Sequence, residues 1–302
     1  MGPQTPKSAG HGLCPSTIMI QEWLDSYRPT TRNETEQALR ELMQSVALAG
    51  LHRGKFFEQA AFYGGTALRI FHGLDRFSED LDFTLMTEQS DFDLAPYMDA
   101  VQHEFESLGL NVAVQIKAKS KRSKVDSAFL KSDTLLGEIL LQRNIRHSLT
   151  GPLPSIKIKI EVDKEPPTDL LTEQMLLLRP YSLYIRCLSL PHLFAGKVHA
   201  LLFRDWGSRV KGRDWYDLEW FVQRNVKLQT QQVVYRAHKS GDWISSSISM
   251  DEIRELLLSK ADSLAMDRVI EDVVRFVKDP SRFQIWSADY FKQLIHKIQP
   301  VE

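Results

Sequence analysis

From Ile156 to Asp163 the chain reads Ile-Lys-Ile-Lys-Ile-Glu-Val-Asp, with an apolar residue at every even position and a charged one at every odd position. Side chains alternate sides along a strand, so this segment has one face made for a core and one made for water. Such a strand cannot stand alone; the chain must build a sheet around it and cover one side of that sheet. A second segment repeats the pattern, with Leu81, Phe83 and Leu85 alternating with Asp80, Asp82 and Thr84, so that every polar side chain is expected on the same side. Upstream, Ala61 to Tyr63 reads as a short strand that passes through a Gly64-Gly65 turn into a helix over Ala67 to His72. Residues 34–50 place apolar side chains at helical spacing, and Gly50 marks the expected helix end. Phe92 to Leu108 reads as helix, Asn111 to Lys117 as strand and Leu135 to Gln142 as a further strand.

After Ser189 the strands give way to helical spacing over Pro191 to Phe203, Arg213 to Arg224, Asp251 to Leu264, Asp267 to Val277 and Ala288 to Ile298. Ser189 is placed to cap the first of these, with Pro191 in its first turn. The pattern predicts an α+β protein: a mixed sheet with helices over residues 19–188, then a helical domain over 189–302. Residues 1–18, rich in Gly, Pro and Ser, lack the apolar core of a secretory signal and read as a disordered leader, with Met19 as an alternative start. Of 302 residues, 43% are hydrophobic and 25% charged, the usage of a globular chain able to build its own core. Cys14 and Cys187 read as reduced, non-functional thiols of a cytoplasmic protein. The longest apolar runs, such as Val46 to Leu51 and Met175 to Leu178, fall far short of the roughly 20 residues that cross a bilayer, so no membrane partner is expected.

The residues that carry chemistry fall in two blocks. In the first, Gly64, Gly65 and Thr66 open a helix, where unpaired amides, the helix dipole and a hydroxyl suit a phosphate; taken alone, a plain structural turn explains them better. Asp80 and Asp82, two apart on a strand, project to one side, where hard oxygen ligands share a divalent cation. Without a metal they need a cationic partner, for which Arg76 is the candidate. A third carboxylate from the neighbouring strand would complete the set, Glu161 first and Asp163 in reserve. In the second block, Lys197 and Arg204 stand two helical turns apart on one face. On the next helix Arg213 and Asp217 are four apart and Asp214 and Asp217 three apart, each pair on one face, which suits phosphoryl-type transfer or, for Arg213 and Asp217, an ordinary surface salt bridge. Lys197 on an otherwise apolar helix is harder to explain as surface, because an unpaired buried ammonium is costly. The near-neutral net charge of −1 hides a basic run of Lys117, Lys119, Lys121, Arg122 and Lys124, suited to a phosphate-rich polymer or merely to solvent. His72, His192 and His199 have no zinc-like spacing.

Taken together, Gly64-Gly65-Thr66, Leu68-Arg69, Arg76, Ser78 and Asp80-Leu81-Asp82-Phe83 resemble the first block of the AbiEii nucleotidyltransferases. Lys197, Ala200, Leu201 and Arg204, followed by Lys211-Gly212-Arg213-Asp214-Trp215-Tyr216-Asp217-Leu218, resemble that family's Lys helix and its Arg-Asp-x-Tyr-Asp-Leu helix. The resemblance spans about Tyr63 to Leu218 and leaves the leader, the basic run and the last eighty residues unmatched. It implies a polymerase-β-like nucleotidyltransferase, the toxin of a type IV toxin–antitoxin system, with a cognate antitoxin as partner. It implies Mg²⁺ or Mn²⁺ on Asp80, Asp82 and Glu161, catalytic roles for Lys197 and Asp214, and an NTP held by Gly64, Gly65, Thr66, Arg69, Ser78 and Arg204. The implied acceptor is RNA, the 3′ end of tRNA, with the basic run as its contact. Two rivals remain at the level of sequence: transfer to a protein or an antibiotic-like small molecule, and a non-catalytic binding module on the same fold.

Overall fold

A computed structural model describes residues 15–117, 124–132, 155–204, 211–245 and 247–302, with side chains from Met19 onward. Two helices open the chain, α1 (Pro15–Ser26) and α2 (Arg32–Arg53). Helix α1 takes in residues 15–18, which the composition assigns to the leader; residues 1–14, Cys14 among them, lie outside the described residues. Thr31 and Glu34 form a reciprocal capping box that starts α2. The helix runs through Gly50 to Arg53 instead of stopping at the glycine. The reason is tertiary: a Cβ at residue 50 would fall 2.6 Å from Val101 Cα, so Gly50 is where helix α4 (Ala95–Ser107) crosses closely.

A mixed seven-stranded sheet follows, built from β1 (Ala60–Tyr63), β2 (Leu81–Leu85), β3 (Ala113–Ile116), β4 (Val125–Ser132), β5 (Ile156–Asp163), β6 (Thr172–Leu177) and β7 (Leu183–Leu188). Their order across the sheet is β3-β4-β5-β2-β1-β7-β6. Helix α3 (Gly64–His72) leaves β1 directly, and β2 returns antiparallel to β1 and parallel to β5. The alternation of β5 is kept: Ile156, Ile158, Ile160 and Val162 are buried in one core with Leu42 and Val46 of α2 and Phe105 of α4. At about 1.5–3 kcal/mol per buried aliphatic side chain, this face alone pins the register of β5. On β2 the alternation breaks at Thr84, which is buried with its hydroxyl on the Leu85 carbonyl, because Met86 just beyond packs against a second core.

Strands β4, β6 and β7 go beyond the segments marked by the sequence pattern. In β4 the inward positions are Asp126, Ala128, Leu130 and Ser132, with Asp126 neutralised by Lys164 at 3.4 Å, so polar residues mask the alternation. Strand β6 is a sheet edge with Glu173 and Leu176 exposed, and its pattern is correspondingly weak. The segment Leu135 to Gln142 lies outside the described residues.

The helical region comprises α5 (Leu190–Phe203), α6 (Gly212–Gln223), α7 (Thr230–Ser240), α8 (Met250–Asp262), α9 (Met266–Val274) and α10 (Ala288–His296). These helices bury Phe194, Val198, Trp215, Phe221, Val233, Leu257 and Phe291 in a core that also takes Ala61 of β1 and Leu68 of α3. The fold class is α+β, as the pattern predicts, and the sharing of this second core is what brings α5 and α6 to the end of β1 and β2. Ser189 starts α5 without capping it: its hydroxyl bonds His192 Nδ1 at 2.9 Å.

Candidate active site

The turn between β1 and α3 is the first wall of the site. Gly64 has φ +85°, a left-handed conformation that favours glycine, and a Cβ there would lie 2.5 Å from Asp82 Oδ2. The glycine is thus required by the carboxylate lying across the turn. At Gly65 a Cβ would meet the Arg76 guanidinium at 2.8 Å and the Ser78 hydroxyl at 3.0 Å. Thr66 is buried, and its hydroxyl donates to the Asp80 carbonyl. That bond ties the start of β2 to α3, so Thr66 shapes the loop and its hydroxyl is already committed.

Asp82 stands in register between Tyr63 on β1 and Glu161 on β5, and Asp80 precedes β2 by one residue. Burial, followed by the charges of Asp80 and Glu161, pushes the Asp82 carboxyl up to about 6. Asp80 is also raised, by burial first and then by Glu79. Glu161 is turned to Lys159 at 2.7 Å, and among the described residues no three His, Cys, Asp or Glu side chains are grouped closely enough to hold an ion as they stand. The donor set nonetheless suits a hard divalent cation: three carboxylates on adjacent backbone positions repel one another, and a cation would offset that repulsion once Glu161 turns from Lys159. Asp163, the reserve, accepts the Glu165 amide at 3.0 Å and faces Lys239 at 3.8 Å.

The opposite wall comes from α5 and α6. Lys197 Nζ pairs with Asp214 Oδ1 at 3.0 Å and Asp217 Oδ2 at 2.7 Å. Asp217, fully buried, also receives both prongs of Arg76, Nε at 2.7 Å and a terminal nitrogen at 2.6 Å. Two cations and two carboxylates form a neutral chain, buried at Arg76, Asp214 and Asp217 and half-buried at Lys197. Burial works against the Lys197 ammonium, but Asp214 and Asp217 outweigh it and hold its pKa above the usual range. Burial likewise opposes the Asp217 carboxylate, and Arg76 and Lys197 overcome it, leaving its pKa low.

Several expectations are corrected here. Arg76 serves Asp217, 141 residues away, and not the Asp80/Asp82 pair. The Arg213–Asp217 surface pair does not form; Arg213 reaches Glu79 at 2.9 Å and lies over the Phe276 ring. Arg69 turns from the glycine turn to Glu41 at 2.7 Å and stacks on Phe77, so it does not face that turn. Of the basic run, Lys117 is exposed and Lys124 pairs with Glu165 at 3.0 Å, while Lys119, Lys121 and Arg122 lie outside the described residues.

Between the two walls is a pocket of about 210 Å³ lined by Gly64, Asp82, Glu161, Lys197, Arg204 and Asp214. Asp163, His192, His199 and Arg236 reach it as well. Helix α7, which carries Arg236, escaped the sequence pattern because its buried residues are only Gln232, Val233 and Ala237. The available signal was the Gly241 stop after Val233 and Ala237.

Residues 46–293 match the family model described as nucleotidyl transferase AbiEii toxin, type IV TA system. The chain belongs to the AbiEii nucleotidyltransferase toxin family. Both walls of the pocket fall within the matched residues, and membership carries with it an NTP substrate and an antitoxin partner. Among solved structures, this AbiEii chain is similar to MenT4, a nucleotidyltransferase toxin of Mycobacterium tuberculosis, with 14% identity and a TM-score of 0.51 over 96% of this chain and 91% of that one. A second, JHP933 from Helicobacter pylori, is 17% identical with a TM-score of 0.42 over 83% of this chain and 88% of that one. No curated protein matches. Among the described residues, no helix of this AbiEii chain is long and apolar enough to cross a membrane.

Proposed function

We propose that this AbiEii toxin transfers a nucleotide from an NTP to the 3′ end of an RNA acceptor, tRNA in particular, at the pocket between β2 and α5. The observation that carries the reading is the Asp82 carboxylate, held across the glycine turn at the start of α3 and facing Glu161 in register, in one pocket with Lys197 and Asp214. The oxygen of the acceptor hydroxyl attacks the α-phosphorus; the bond to the β-phosphate oxygen breaks, pyrophosphate leaves, and the hydroxyl proton passes to a carboxylate of the pocket. Asp80, Asp82 and Glu161 would hold Mg²⁺ or Mn²⁺, which when bound supplies charge neutralisation at the phosphates. Gly64, which lines the pocket at the start of α3, lets a phosphate oxygen approach the backbone, while Gly65 packs against Arg76 and Ser78. Thr66 and Ser78 act by shaping that turn. Lys197, released from Asp214, offers its ammonium to the developing phosphate charge, and the pair with Asp217 keeps that ammonium anchored.

Support for a polyanionic acceptor comes from the basic run, since Val125, the residue after Lys124, lines the pocket. The test is transfer of label from each α-phosphate-labelled NTP into deproteinised total RNA with Mg²⁺, comparing the wild type with Asp80→Ala. Label in the tRNA band, reduced about a hundredfold or more in the variant, is the expected result. Label in parallel incubations with total protein or an aminoglycoside, with none in RNA, would replace the acceptor; no label in any of the three, with the protein folded, would refute the reading.

A further inference from the structure

Arg236 belongs to neither block of motifs, yet it lines the same pocket from α7, which packs on α5. Its Nε is shielded from solvent and has no hydrogen-bond partner among the described residues. The carboxylate that acts on it is shared: Asp163, whose charge favours the Arg236 cation, also accepts the Glu165 amide and faces Lys239. Burial accordingly holds the Arg236 pKa below the usual guanidinium range. A recessed cation that shares its counter-charge is costly to hold, and a bound anion would offset that cost.

The backbone beside it is bare. A Cβ at Gly196, the residue before Lys197 in α5, would lie 4.0 Å from the Arg236 guanidinium carbon and would meet nothing else within 4 Å. Glycine inside a helix costs about 0.5–1 kcal/mol relative to alanine, so this opening is maintained at a loss. Arg204 and His199 line the pocket with it, and both enter the electrostatic surroundings of Arg236 or are shifted by it. Arg204 and Arg236 are the cations here, while burial first and then those two charges push His199 down to about 4, so it offers a neutral imidazole; a guanidinium fork matches the geometry of a phosphate.

We propose that Arg236, with Arg204 and His199 and over the open backbone at Gly196, forms a phosphate-binding subsite of this pocket. The assignment of the phosphate rests on the nucleotide-transfer reading and has two sources, the polyphosphate tail of the NTP or the backbone of the acceptor RNA. Calorimetric titration separates them, using inorganic tripolyphosphate in one arm and a trinucleotide RNA with 5′ and 3′ hydroxyls in the other. The proteins are the wild type, Arg236→Gln, Arg236→Lys and Gly196→Ala. Arg236→Gln is expected to weaken one arm by about tenfold or more, the loss of one charge-assisted hydrogen bond, with Arg236→Lys intermediate. Loss in the tripolyphosphate arm assigns the tail; loss in the RNA arm assigns the acceptor. Gly196→Ala favours the helix and so keeps the fold, but its methyl group occupies the space beside the guanidinium and weakens the same arm. Should Arg236→Gln fail to fold, Gly196→Ala and Arg236→Lys decide the matter. Affinities within about twofold of wild type in both arms for the folded variants would overturn the proposal. Label transfer measured alongside keeps the two ideas apart: turnover by the wild type with Arg236-independent binding sinks the subsite alone, and Arg236-dependent binding without any turnover sinks the transfer reading alone.

Discussion

Replacing Asp82 by Asn removes a charge that the fold holds at a cost. Burial, then Asp80 and Glu161, raises this carboxyl from 3.8 to about 6. A carboxyl with a raised folded-state pKa retains a proton that the unfolded chain has released, so its stabilising contribution is complete below about pH 3.8 and is lost as the pH rises through about 6. A shift of about two pKa units corresponds to about 3 kcal/mol. Asp82 lines an open pocket, where water screens part of that penalty, so the expected gain from Asp82→Asn is about 1–3 kcal/mol at neutral pH. Urea unfolding in EDTA measures it: the variant should be more stable than wild type near pH 7.5 and indistinguishable from it near pH 3.5, while label transfer is lost. Mg²⁺ should then stabilise the wild type and leave the variant unmoved. An Asp82→Asn protein equal to or weaker than wild type at neutral pH would refute the claim that burial and carboxylate repulsion dominate this pocket.

The remaining predictions concern the scaffold. Arg76→Met leaves the fully buried Asp217 with Lys197 as its cation and should cost about 3–5 kcal/mol in chemical unfolding. Adding Asp217→Leu to that variant should restore part of the loss, a coupling that a double-mutant cycle reads directly; additive losses would argue against the pairing. Gly50→Ala forces apart α2 and α4, since its Cβ would fall 2.6 Å from Val101 Cα, and should cost about 1–3 kcal/mol even though alanine is the better helix former.

Much of the fold was legible wherever a single segment carries its own pattern. The alternation of Ile156 to Val162 announces a half-buried strand because side-chain direction along a strand has period two, a property of the local backbone. The same logic puts Asp80 and Asp82 on one side and leads to Glu161, which lies opposite Asp82 in the parallel pairing of β2 and β5. Helices α5, α6, α8, α9 and α10 were readable from 3.6-residue spacing, but α7 was not, since two of its three buried residues are small or polar in a short helix.

What the chain determined by itself is therefore its inventory: which segments are strands or helices, that an α+β sheet precedes helices, and which carboxylates, glycines and lysine are the candidates for chemistry. Tertiary structure decided the partnerships. Arg76 answers Asp217 across 141 residues, Arg213 answers Glu79 across 134, and Gly50 yields to Val101, none of which has a local signature. The physical reason is that backbone periodicity is set by neighbours in sequence, whereas the pairing of buried charges and the closeness of two helices depend on which surfaces share a core. Here the second core, which joins Ala61 and Leu68 to Phe194 and Tyr216, carries the Lys197 and Asp214 helices to the carboxylates of β2.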